Sequence, residues 1–260
     1  MSHQPRKRFG QHFLHDPGVI GRIVAAIHPL PDETLVEIGP GQGAITLPLL
    51  EAAGKLIVVE LDRDLIQPLQ NRCRSAGELT VYNRDALRFD FCELAAAGPL
   101  RVLGNLPYNI STPLLFHLLD QQRCIADMHF MLQKEVVERM AAGPGSGQYG
   151  RLSVMLQYRC QVDMLFSIGP GAFSPPPKVD SAFVRLQPYP APPVTVEDEQ
   201  VFATLVRQAF AQRRKTLRNT LRELLDAGEI SAAGVDPSAR AETLTLNEFA
   251  ALANRAARRT

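Results

Sequence analysis

Hydrophobic and polar positions follow two periods along the first 190 residues. Val19, Ile20, Ile23, Val24 and Ile27 recur at helical spacing. Asp16-Pro17 ahead of them supplies an N-cap and a first-turn proline, so a helix is predicted to about His28, stopped by Pro29. Short apolar runs then predict strands over 34–38, 56–60, 79–82, 100–104 and 128–132. Between them, helices are predicted over 44–53, 63–74, 111–119 and 134–142. This alternation predicts an α/β fold, a mainly parallel sheet with helices on both faces. A Gly/Ser-rich stretch, 143–150, reads as a mobile loop. Residues 181–186 alternate as a strand and 162–168 as its antiparallel partner, a closing hairpin. Residues 188–196 are a proline-rich linker. The predicted division is a catalytic domain over 1–190 and a small all-α domain over 197–260.

Composition changes this picture little. Hydrophobic content of 45% and a net charge of +1 are ordinary for a globular protein. The distribution of charge says more. Arg207, Arg213, Arg214, Lys215, Arg218 and Arg222 fall in one stretch without an acid. Such a run is either a solvated helix face or, with no acid among six cations, a surface for a polyanion. The four cysteines are far apart and no histidines cluster, so neither a metal site nor a disulfide frame is expected. No apolar run approaches membrane-spanning length and the basic N-terminus has no apolar segment, so a cytoplasmic location is expected; the chain is read as a monomer.

The candidate chemistry lies at predicted strand ends. The first strand runs into Gly39-Pro40-Gly41-Gln42-Gly43 and then a helix. Glycines there let the backbone approach a ligand, and helix N-terminal amides face it. The spacing is G-x-G-x-G rather than the G-x-G-x-x-G of dinucleotide sites, and Pro40 removes an amide. Glu37 stands two residues before the first glycine. This pattern resembles the first motif of the S-adenosylmethionine-dependent methyltransferases. Glu60 ends the second strand, where a carboxylate can accept both ribose hydroxyls; its alternative is a solvated charge. Asp85 follows the third strand, placed to accept from the cofactor's adenine amine, to cap a helix, or both.

The fourth strand ends in Asn105-Leu106-Pro107-Tyr108. Pro107 forces Leu106 extended, so the Asn105 side-chain carbonyl and the Leu106 backbone carbonyl can point the same way. Two acceptors beside the flat ring of Tyr108 suit an adenine, whose amine offers two donors in the ring plane. A strand end followed by a turn would use the same residues. The three prolines after Phe173 build a rigid loop that would hold Phe173 as a second stacking wall facing Tyr108, with a core phenylalanine as the alternative.

FGQHFL at 9–14, EIGPGQG at 37–43, VVELD at 58–62, RDA at 84–86, GNLPYNIST at 104–112 and FSPPPKVDS at 173–181 together resemble the bacterial ribosomal RNA adenine dimethyltransferases. The resemblance spans nearly the whole chain. It implies a Rossmann-like S-adenosylmethionine-binding sheet with a small C-terminal all-α domain. It also implies dimethylation of two adjacent adenosines near the 3′ end of small-subunit ribosomal RNA. The partner would be that RNA or an immature small subunit. Carried over by position, the cofactor contacts would be His12, Leu14, Gly39, Glu60, Asp85 and Asn105, with Gly41 in the same turn. The family often has Asn where this chain has His12. Leu106, where similar DNA adenine methylases carry Pro, would leave room for an already methylated amine. Other readings are an adenine methyltransferase for a different RNA or for DNA, and an RNA-binding assembly factor with the fold alone. A nicotinamide dehydrogenase would want the other glycine spacing.

Overall fold

The computed structural model describes residues 12–259; Phe9, Gly10 and Gln11 of the aromatic N-terminal segment lie outside the described residues. The chain forms two compact units. One comprises the residues up to Val137 with Asp163–Pro188; the other comprises Glu138–Val162 with the residues from Tyr189 onward.

The first unit is built on a seven-stranded sheet. In chain order its elements are β1 (Phe13–Leu14), α1 (Pro17–Ile27), β2 (Thr34–Ile38), α2 (Thr46–Ala53), β3 (Lys55–Val59), α3 (Arg63–Cys73), β4 (Glu78–Tyr82), β5 (Leu100–Asn105), α4 (Ser111–Asp120) and β6 (Ile125–Gln133). After α5 (Lys134–Ala141) and α6 (Arg151–Arg159) come β7 (Cys160–Ile168), β8 (Phe173–Ser174) and β9 (Ser181–Pro188). The sheet order is β4-β3-β2-β5-β6-β9-β7. β4 through β6 are parallel, and β9 runs antiparallel to β6 with β7 on its other side. β1 and β8 form a separate antiparallel pair, Leu14 opposite Phe173.

Local chemistry explains the element ends. The Asp16 carboxylate accepts from the Val19 amide at 2.9 Å and Pro17 opens α1. α1 ends one residue before the predicted stop, with His28 left-handed at φ 49°. Arg101 of β5 takes up the last carbonyls of that helix, donating to Ile27 at 2.7 Å, and pairs with Asp127 and Glu33. In the middle of this sheet Gly104 is required sterically. A Cβ there would run into the Ile38 carbonyl of β2, closer than real Cβ atoms come.

The second unit departs from the predicted division. It takes in 138–162 as well as the C-terminal helices α7 (Glu199–Ala209), α8 (Leu217–Thr220), α9 (Ala227–Ala232) and α10 (Leu246–Ala257). The reason lies in α6, which the Gly/Ser-rich stretch concealed. Leu152, Val154, Met155, Leu156 and Tyr158 are all buried, and the Tyr158 ring lies 4.7 Å from that of Phe202 in α7. The preceding loop is tied down too: the Gly145 amide donates to the Glu242 carbonyl, and Tyr149 is buried against Phe210.

A second departure concerns the cysteines. Cys92 and Cys124 are joined as a disulfide, against the expectation of none; Cys73 and Cys160 are free and buried. The Gln121 side chain accepts from the Phe91 amide at 2.6 Å, which draws the segment after β4 against the end of α4. The two Cα atoms are then 5.5 Å apart despite a sequence separation of 32. Among the described residues no helix is long and apolar enough to cross a membrane.

Candidate active site

Parallel strands with right-handed crossovers bring their carboxyl ends to one edge, and ligands bind outside that edge. The first unit follows this rule. A single cavity is lined by the glycine turn after β2, Glu60 to Asp62 after β3, Arg84 to Ala86 after β4 and Asn105 to Ile110 after β5. His12, Phe13 and Leu14 complete it. Every predicted cofactor residue (His12, Leu14, Gly39, Gly41, Glu60, Asp85 and Asn105) therefore faces one space, as do Leu106, Pro107 and Tyr108.

In the turn, Gly39 and Gly41 have φ of 67° and 57°, a region that side chains rarely enter. A Cβ at Gly39 would meet no protein atom within 4 Å, so the backbone there is open to a ligand. Glu60 is nearly buried. One of its oxygens accepts from the Asp62 amide at 2.7 Å, the other from the Gly41 amide at 3.3 Å. The carboxylate thus ties the glycine turn to the end of β3. Burial raises its pKa, while these amide donors pull the other way. Asn83 donates to the Glu60 carbonyl at 2.7 Å and fixes the same corner. Asp85 caps the short helix that follows, accepting from the Leu87 amide at 3.0 Å through one oxygen, and also lines the cavity.

Glu37, deeper in β2, is 1% exposed, and burial pushes its pKa up to about 8. The Thr46 hydroxyl donates to it at 2.6 Å. Neither Thr46 nor the proton on Glu37 was legible beforehand; the acid's place before the glycine turn was the one available signal.

At the Asn-Leu-Pro-Tyr turn the Asn105 amide nitrogen donates to the His12 carbonyl at 3.0 Å. A carbonyl can only accept, so the NH₂ must face His12 and the amide oxygen is left for another partner. Among the described residues neither that oxygen nor the Leu106 carbonyl takes part in a recorded hydrogen bond. Leu106 itself is tied down through its amide, which donates to the Met131 carbonyl at 3.2 Å. The Tyr108 hydroxyl lies 2.9 Å from the hydroxyl of Ser181, which closes the FSPPPKVDS segment and was not among the expected site residues.

The expected second wall is elsewhere. Phe173 is 3% exposed, sits opposite Leu14 in the β1–β8 pair, and packs in the core with Ile23 and Phe183. It does not line the cavity. Pairing with β1 turns it inward, so the core alternative holds for this residue. The ring facing Tyr108 is that of His12, 5.8 Å away and inclined by 28°. A base between two rings needs about 7 Å, twice a carbon contact distance. The His12 ring would have to move aside for a base to enter. It is held by Nδ1, which donates to the Pro175 carbonyl at 2.7 Å.

This sheet, with a turn shaped for something other than a pyrophosphate and an Asn-Leu-Pro-Tyr turn beside it, defines an S-adenosylmethionine-dependent methyltransferase. Comparison with known proteins narrows the class. The chain belongs to the ribosomal RNA adenine dimethylase family, whose model matches residues 2–258. It is 59% identical over 256 residues to ribosomal RNA small subunit methyltransferase A of Pseudomonas fluorescens, covering 98% of this chain and 95% of that one. To the protein of the same name from Pseudomonas aeruginosa it is 57% identical, covering 98% and 96%. Among solved structures, a dimethyladenosine transferase from Plasmodium falciparum superposes with a TM-score of 0.77 at 27% identity, covering 93% and 96%. The 23S rRNA methyltransferase ErmE shares the fold, with a TM-score of 0.74 at 24% identity over 94% and 98%.

Proposed function

We propose that this chain dimethylates the exocyclic amines of two adjacent adenosines near the 3′ end of small-subunit ribosomal RNA, as a cytoplasmic monomer using S-adenosylmethionine. Its curated relatives act, by name, on small-subunit ribosomal RNA. The observation that carries the reading is the Asn105 amide, whose nitrogen donates to the His12 carbonyl and whose oxygen is thereby left for another partner.

The cavity fits the cofactor. Gly39 leaves an open backbone face, and Glu60 offers a carboxylate for ribose hydroxyls. Asp85 offers an acceptor for the cofactor's adenine amine, and Leu14 an apolar surface. When bound, S-adenosylmethionine supplies an electrophilic methyl group on its sulfonium. The target amine is a poor nucleophile because its lone pair is delocalised into the ring. Asn105 Oδ1 and the Leu106 carbonyl accept its two hydrogens and draw the nitrogen toward a tetrahedral shape, freeing the lone pair. These groups are held before substrate arrives, so their contribution is orientation and electrostatics. No strong base is required, because an alkylated ammonium loses its proton readily. Tyr108 offers a face for the base, which must leave its stack to reach the site. In the second unit Arg207, Arg213, Arg214, Lys215, Arg218 and Arg222 are all exposed and serve as the RNA-phosphate surface. Arg213 is partly committed within its unit, to the Gly147 carbonyl and Glu242.

The test is transfer of labelled methyl from S-adenosylmethionine to small ribosomal subunits lacking the modification. Two adjacent dimethyladenosines are expected. Asn105→Ala should lower single-turnover transfer by roughly 10²-fold or more. Label in large-subunit RNA instead, or none with intact RNA binding, would favour the other substrate or the assembly-factor reading.

A further inference from the structure

Tyr108 lies three residues past the end of β5, in the turn before α4, outside the sheet's hydrogen-bond ladder. Its backbone is held, since the Ser111 hydroxyl donates to its carbonyl at 3.1 Å. Its half-buried ring lines the cavity, and a bond at its far end would fix where it points. That end is the hydroxyl, 2.9 Å from Ser181 Oγ.

Ser181 is well placed to be an anchor. It is the first residue of β9, 0% exposed and paired in register with Gln133 of β6. Its neighbours Ala182, Phe183 and Val184 are also buried, so the strand cannot shift without disturbing the core. A buried hydroxyl without a partner is unfavourable, and the recorded partner of this one is Tyr108. The phenol oxygen lies on the χ2 axis, so a bond to it fixes χ1, the direction in which the ring points. A phenol's hydrogen also prefers the ring plane, so the same bond biases χ2.

We propose that Ser181 is a positioning residue for methyl transfer, holding the Tyr108 ring by its hydroxyl in the attitude on which the target adenine stacks. The proposal rests on the reading of Tyr108 as the base platform. On the stacking face alone, Tyr108→Phe would retain most activity; the bond to Ser181 predicts a loss. The test compares Ser181→Ala, Tyr108→Phe and the double variant in single-turnover methyl transfer to unmodified small subunits. A bond worth about 1 kcal/mol corresponds to about fivefold. Each single variant should therefore lose about fivefold in the rate constant at saturating subunits. The double variant should be no slower than the slower single variant, because the two changes remove one bond. KM for the subunit and cofactor affinity should stay within about twofold, a split that general loosening of the core would not produce.

Wild-type rates in Ser181→Ala, or losses that multiply in the double variant, would overturn the proposal. If Ser181→Ala does not fold, Tyr108→Phe decides: a full rate there means the anchor has no role. Tyr108→Ala separates the two layers. Impaired Tyr108→Ala with normal Ser181→Ala and Tyr108→Phe leaves the platform standing and removes the anchor; fully active Tyr108→Ala removes both.

Discussion

Glu37→Gln should make this protein more stable, and the gain should grow with pH. Glu37 is buried in β2, and its pKa stands at about 8 against an ordinary 4.5. Burial is the main cause, opposed by the Thr46 hydroxyl and reinforced by the charge of Glu60. Below pH 4.5 the group is protonated in both folded and unfolded chains and contributes no difference. From 4.5 to about 8 the unfolded chain ionises and the folded one does not, so folding stability falls by about 1.4 kcal/mol per pH unit. At pH 7 the accumulated loss is about 3 kcal/mol, and above pH 8 it levels near 5 kcal/mol as an upper limit. Glutamine keeps the shape and can still bond to Thr46, but never ionises. Urea unfolding of both proteins at intervals from pH 4 to 9 measures the difference. Equal stability at pH 4 and a gap widening to pH 8 are expected. The difference matters rather than either curve, because His129 adds an opposite slope: burial lowers its pKa to about 4, so its contribution falls as pH drops from 6.5 to 4. A gap that is constant across the range would refute the account of Glu37 as a carboxyl kept neutral by burial.

Glu60→Gln should weaken S-adenosylmethionine binding by about tenfold or more, since charge-assisted bonds are lost and an NH₂ is set against a backbone amide; unchanged affinity by calorimetry would reject the ribose assignment. Arg214→Ala with Lys215→Ala, both exposed, should weaken RNA binding and lower the magnitude of its salt slope by roughly 1.5 if each cation meets one phosphate, with cofactor affinity unmoved. An unchanged slope would make the basic stretch a solvated face. Gly104→Ala forces a Cβ onto the Ile38 carbonyl and should destabilise the fold by roughly 1–3 kcal/mol, read from the urea midpoint. Wild-type stability would mean β2 and β5 part easily there.

What could be read before folding was whatever short-range pattern controls. The strand and helix periods placed β2, β3, β4 and β5 to within a residue or so, because each carries apolar residues between polar stretches, mostly buried in β2, β3 and β5 and only half-buried in the edge strand β4. Once those strands are parallel, the glycine turn, Glu60, Asp85 and Asn105 must emerge at one edge, so their convergence followed from the pattern and the crossover rule together. Contacts between distant segments were beyond the reach of any local pattern. Asn105 meets His12 across 93 positions, Tyr108 meets Ser181 across 73, and His12 meets Pro175 across 163. Each depends on β9 entering the sheet beside β6 and on β1 pairing with β8, and nothing in the residues themselves states either pairing. Phe173 shows the consequence, since the same aromatic side chain suits a stacking wall or a core, and only its partner strand turned it inward. Residues 138–162 show it again: α6 carries apolar side chains that either unit could have buried, and packing against α7, with Tyr158 on the Phe202 ring, decided which.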